Sequence, residues 1–153
     1  MKVLWRATKA RGGNFGRGSC WAATKRDGEA YLDNPGFGGS VLYRAEVEDE
    51  YALNLNVRDP WRALARALWE DDDYRAHVES RHGVEDVGEL VDHLASSRGY
   101  VYESWENDGD VRRALERLYD WVVYEVDFPA QGITWRYFGK GKVDAEAVDE
   151  RAW

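Results

Sequence analysis

The order of hydrophobic patterns predicts an α+β fold. Short β-rich runs occupy roughly the first 57 residues, helical periodicity takes over from Pro60 to about Leu118, and two β-rich runs follow. A second observation is aromatic content: eight Trp and nine Tyr in 153 residues, with 44% hydrophobic side chains, supply enough apolar area for one real core. A third is the absence of repeats or low-complexity blocks, which leaves a single domain over residues 1–153.

The elements follow in order. Met1 to Thr8 reads as a first strand around Val3, Leu4 and Trp5, with Arg6 near its end. Lys9 to Gly18 is loop, and Ser19 to Ala23 a second strand. Lys25 to Leu32 makes one or two helical turns. Asn34-Pro35 and Gly38-Gly39 punctuate a turn, and Ser40 to Val47 alternates as a third strand. Tyr51 to Val57 reads as a further short strand. Asp59-Pro60 starts a helix with Trp61, Leu64 and Leu68 on one face. Asp71 to His82 is a second helical piece stopped at Gly83, and Glu85 to Ser96 a third, with Val87, Leu90, Val91 and Leu94 at core spacing. Tyr100 to Trp105 reads as strand, Asn107-Asp108-Gly109 as turn, and Asp110 to Leu118 as a short helix with Arg112, Arg113, Glu116 and Arg117 solvated. Trp121 to Val126 is a strand, broken by Pro129 to Gly132 and followed by another over Ile133 to Phe138. The polar stretch Gly139 to Trp153 is expected to fray.

Charge is uneven along the chain. The net charge is −8, yet no acidic residue precedes Asp27, and Lys2, Arg6, Lys9, Arg11, Arg17, Lys25 and Arg26 make the opening segment about +7. The rest carries all 29 acidic residues and about −15. Within the opening, Gly12, Gly13, Gly16 and Gly18 allow close backbone approach to a ligand, so a basic glycine loop in an acidic protein suits an anionic small molecule. The overall acidity disfavours broad contact with nucleic acid. No apolar run reaches the roughly 20 residues of a membrane span, and no signal-peptide core is present. A lone cysteine, Cys20, fits a reducing, cytoplasmic setting and reads as a small packed residue. His77, His82 and His93 lack zinc spacing and read as surface positions, so no metal is expected.

Three separated segments resemble the ADP-ribosyltransferase superfamily. LWRAT is similar to its opening strand, which ends in Arg or His before a small residue, here Arg6 and Ala7. GSCWAATKRDGEAY resembles the glycine, aromatic-Ala and Ala-x-Tyr-like pattern of the poly(ADP-ribose) polymerase and diphtheria-toxin-like branches, with Gly18, Trp21, Ala22 and Tyr31 at the matching positions. GYVYESWENDG, a spacer helix and YDWVVYEV resemble the late strand pair, with Asp120 where the catalytic acid stands. The resemblance implies a split antiparallel β-sandwich with a helical middle segment. It implies NAD as substrate, no metal, and a cytoplasmic mono-ADP-ribosyltransferase of the bacterial or phage effector or toxin type, with a protein acceptor. Arg6, Ala7, Arg17, Gly18, Ser19, Trp21 and Tyr31 would bind NAD, Tyr31 stacking on nicotinamide and Trp21 walling the cleft. Asp120 would stabilise the oxocarbenium-like transition state. Two departures stand out. Asp replaces the family's more usual Glu, and Leu118 fills the position where arginine-modifying members carry Glu or Gln. Glu125, on the other strand face, is the runner-up acid. Two other readings compete. A non-catalytic acidic binding or inhibitor protein, such as a nucleic-acid mimic, is suggested by Glu48-Asp49-Glu50 and Glu70 to Asp73. A degenerate family member that binds NAD without turnover is the third.

Overall fold

The computed structural model describes residues 1–9, 15–33, 40–57, 61–97, 101–102, 108–126 and 132–151. The chain is α+β. Its strands are β1 (Lys2–Thr8), β2 (Cys20–Ala22), β3 (Val41–Val47), β4 (Ala52–Asn54), β5 (Trp121–Val126), β6 (Gly132–Tyr137) and β7 (Glu146–Glu150). Its helices among the described residues are α1 (Lys25–Leu32), α2 (Trp61–Trp69), α3 (Asp72–His82), α4 (Val87–Ser96) and α5 (Gly109–Leu118). The strands join in the order β4-β5-β6-β2-β1-β3-β7. The β4–β5 pair is parallel and the other pairs are antiparallel.

Capping side chains set the helix starts. Thr24 accepts from the Asp27 amide, Asp71 from those of Asp73 and Tyr74, Asp86 from that of Glu89, and Asp108 from those of Asp110 and Val111. Each satisfies amide donors that the first turn leaves without a helical partner. Gly83, at φ 64°, closes α3 in the left-handed conformation that favours glycine.

Strand alternation divides the core between the two sheet faces. Val122 joins Leu53, Leu55 and Phe138 beneath a helical layer built on Trp61, Leu64, Leu68, Leu90, Leu94, Val101 and Leu115. Trp121 and Val123 turn the other way and pack with Leu4, Trp21, Ala45, Trp135 and Val143. Trp21 and Trp61 are almost wholly enclosed. Truncating either to Ala would cost about 3–5 kcal/mol.

Three sequence expectations need correction. Val101 and Tyr102, expected in a strand over Tyr100 to Trp105, are helical: the Val101 amide donates to the Ser97 carbonyl at 3.1 Å. Both side chains are buried, and two adjacent buried residues do not fit a half-exposed strand. The rest of that stretch lies outside the described residues. The tail expected to fray instead buries Val143 and adds β7 to the edge of β3. Glu116, expected in solvent, is half-buried and ion-paired with Arg17 at 3.3 Å and Arg112 at 3.7 Å. Expectations on Gly12 and Gly13, the Asn34 to Gly39 turn and Asp59-Pro60 lie outside the described residues.

Candidate functional site

The site grows from the place where β1 and β2 meet. Their strand pairing is Trp5 with Ala22. One residue further along β1, the Arg6 guanidinium donates to the Cys20 carbonyl at 2.8 Å. Helix α1 lies over this corner because Gly28 has no side chain. A Cβ there would come 2.7 Å from that of Trp5. This close seat carries Tyr31 to the end of the sheet.

The result is a cavity of about 90 Å³. Trp5, Arg6 and Ala7 line it from β1, Cys20, Trp21 and Ala22 from β2, Tyr31 from α1, and Thr134 from β6. Burial lowers the Arg6 pKa, with the Cys20 thiol working against that shift, and arginine's high starting value keeps the guanidinium cationic at neutral pH. Burial pushes the Tyr31 phenol upward, reinforced by Cys20 and by the Asp27 carboxylate. The lining therefore presents one fixed cation, one neutral phenol and a thiol around a space of ring size.

A second polar tier borders this cavity. Tyr102 hydroxyl lies 3.7 Å from the Cys20 sulfur, and the Arg136 guanidinium stands 5.9 Å from the Tyr102 ring centroid. Arg136 is 6% exposed and donates from Nε to the Gly18 carbonyl at 3.3 Å. Thr134, Arg136 and Tyr102 were not singled out from sequence. The alternation in Ile-Thr-Trp-Arg-Tyr carried the signal: Thr134 and Arg136 share the face opposite Trp135.

The other sequence candidates lie around this centre in different ways. Gly18, at φ 93°, donates its amide to the Tyr137 carbonyl at 2.7 Å and forms the turn into β2. Ser19 is buried and accepts from the Trp21 indole at 2.9 Å, while Trp21 itself is 0% exposed and belongs to the core. Arg17 does not line the cavity. Its Nε donates to the carbonyls of Phe138 and Gly139 at 3.0 and 3.2 Å. Asp120 is exposed just before β5, its backbone bonded to Tyr51 and Phe138. β6 and β2 separate β5 from β1, so the two strands lie about 14 Å apart across the sheet, at ~4.8 Å per strand. The Asp120 and Arg17 charges act in opposite directions on the Tyr137 phenol, which burial also pushes upward. Glu125 is exposed and faces Ile133 toward the far end of β5.

Among the described residues, Asp27 is an acid near the cavity, its charge bearing on Tyr31. It stands one helical turn before Tyr31 on α1, and its carboxylate packs against Gly132 at the start of β6. Sequence reading did not select it, because its relevance depends on how α1 seats on the sheet.

The three histidines lie toward the surface as expected, His77 and His82 exposed and His93 half-buried, yet they are not scattered. Their rings form a chain, His77 to His82 at 6.1 Å and His82 to His93 at 4.4 Å between centroids. Among the described residues, no group of His, Cys, Asp or Glu is arranged to hold a metal ion, and no helix is long and apolar enough to cross a membrane. No family model, curated protein or solved structure matches this chain.

Proposed function

We propose that this chain is a mono-ADP-ribosyltransferase that breaks the nicotinamide–ribose bond of NAD and transfers ADP-ribose to a macromolecular acceptor, a host or partner protein. The observation that supports it is the cavity in which Arg6 and Ala7 of β1, Trp21 and Ala22 of β2, and Tyr31 of α1 meet. At about 90 Å³ it suits the nicotinamide ring, with the remainder of the dinucleotide lying outside it. On this reading the ADP-ribosyltransferase-like fold is built on one continuous sheet, antiparallel but for β4–β5, and the expected split into two halves is corrected by the β6–β2 pairing.

Tyr31 stacks on the ring, and Arg6 supplies the cation for a ribose or phosphate oxygen. The C1′–N bond breaks with its electron pair leaving on nicotinamide. The acceptor nucleophile then bonds C1′ and gives its proton to solvent. A carboxylate near C1′ lowers the barrier by opposing the positive charge on the sugar. Asp120 holds that role by resemblance, whereas Asp27 is the acid whose charge bears on Tyr31.

The test is incubation with NAD labelled on the adenylate, with and without cell lysate. Expected are free nicotinamide and a labelled acceptor band, both reduced about tenfold or more in Arg6→Ala and Tyr31→Ala variants that keep the wild-type melting curve. Absence of both products from the wild-type protein refutes the enzyme reading and favours the acidic binding-protein alternative.

A further inference from the structure

The chain's full histidine complement, three residues, gathers at one cavity in the helical layer. This cavity, about 340 Å³, is separate from the site on β1 and β2. Val78, Leu94, Val101 and Val111 give it an apolar floor, all of them buried. We propose that His77, His82 and His93 form a proton-sensitive latch between α3 and α4, closed while the imidazoles are neutral and loosened when they charge.

The argument rests on how close the rings are. His82 and His93 come from different helices, with ring centroids 4.4 Å apart and planes 37° from parallel. Neutral imidazoles gain from such contact, but two imidazolium ions at that separation repel. His77 extends the cluster on the α3 side, 6.1 Å from His82. A second or third charge therefore works against the contact joining the two helices.

Among the described residues, the other titratable groups at this cavity are few. α3 supplies Tyr74 besides His77 and His82, α4 supplies His93, and the residue before α5 supplies Asp108. The Asp108 carboxylate accepts from the Asp110 and Val111 amides at 3.0 and 3.2 Å, so it is engaged in capping α5. Arg81 and Asp92, beside His82 and His93 in sequence, are exposed. Burial lowers the His93 pKa, and the neighbouring His82 lowers it further. The sign follows directly. A base whose folded pKa lies below its unfolded value of roughly 6.5 contributes full stability above that value. The contribution is lost as pH falls through the depressed folded pKa. Histidine is the side chain whose ordinary pKa lies in this range, and this cluster contains every histidine in the chain.

The experiment is an NMR titration of the histidine Cε1 protons between pH 5 and 8, paired with thermal melts across the same range. Expected are a His93 titration below the ordinary histidine value and a rise in that value in His82→Gln. The wild-type melting temperature should fall by about 2–4 °C between pH 7.5 and 5.5. His82→Gln and His93→Gln should each flatten that fall, since each removes one charge from the closest pair. His82 is exposed, so its variant should fold, and His93→Gln is the second arm. A His93 titration at the ordinary value that ignores His82→Gln overturns the latch. So does a melting profile in both variants that parallels the wild type.

Discussion

On the proposed function, Tyr31 and Arg6 have separable tasks at the β1–β2 corner. Burial pushes the Tyr31 phenol above its ordinary value, so it is neutral, and its proposed work is done by the ring face. Tyr31→Phe should therefore retain most NAD turnover, whereas Tyr31→Ala should lose about tenfold or more, as expected for removing roughly 1.4 kcal/mol of ring contact. Equal losses in the two variants would assign the role to the hydroxyl. The carboxylates are tested by charge removal. If either acid opposes the sugar cation, its Asn variant should lose NAD cleavage by about 100-fold, near 3 kcal/mol, while still binding NAD. Asp120→Asn and Asp27→Asn, measured side by side by nicotinamide release, decide between resemblance and proximity. Arg6 and Tyr31, singled out through the resemblance, both line the cavity. Asp27 was not legible in sequence, since its nearness to the cavity arises from the packing of α1. The three histidines were hidden for the same reason. A pair five residues apart on α3 and a third on α4 share no sequence spacing that signals contact.

At the scale of elements, α1 shows how a locally poor residue is required by packing. Glycine inside a helix costs about 1 kcal/mol relative to alanine, so an isolated helix would gain from Gly28→Ala. Here the added Cβ would meet Trp5 Cβ at 2.7 Å and Leu42 Cδ1 at 3.2 Å. The expected net result is destabilisation by about 1–3 kcal/mol, read by urea denaturation, with α1 displaced from the cavity it helps to close. A more stable variant would show that α1 can move outward freely. The helical middle obeys local rules more closely. Asp71 and Gly83 bracket α3 as sequence punctuation indicated, and Asp71→Ala should cost about 1 kcal/mol by leaving the Asp73 and Tyr74 amides without their cap. Melting about 2–4 °C below wild type would register it. Val and Tyr favour strands by local preference, but Val101 and Tyr102 are held by a helical turn and burial in the core.

Across the whole molecule, the opening positive segment does not remain a free field of charge. Arg17 is ion-paired with the distant Glu116 and Lys25 with Glu29, while Arg6 donates to the neutral Cys20 carbonyl and keeps its charge at the cavity. The final residues show the converse. Their polarity suggested fraying, yet they close the sheet through long-range contacts that no local pattern reveals. The Val143 amide donates to the Phe15 carbonyl at 2.9 Å, and its side chain joins the tryptophan cluster beside Trp121 and Trp135. β7 then covers the open edge of β3, while Arg151 reaches Asp33 at 3.1 Å and Asp149 at 2.7 Å. The ion pairs are half-exposed and contribute little each, so the burial of Val143 and the covered edge dominate. Ending the chain after Lys142 should remove about 1.5–3 kcal/mol from the valine alone. It should also leave the β3 amides and carbonyls open to another copy, since an unpaired edge invites strand addition. The expected outcome is a melting temperature lower by several degrees and concentration-dependent association on size-exclusion chromatography. If the shortened chain melts and elutes with the wild type, β7 contributes nothing, and the frayed-tail expectation stands.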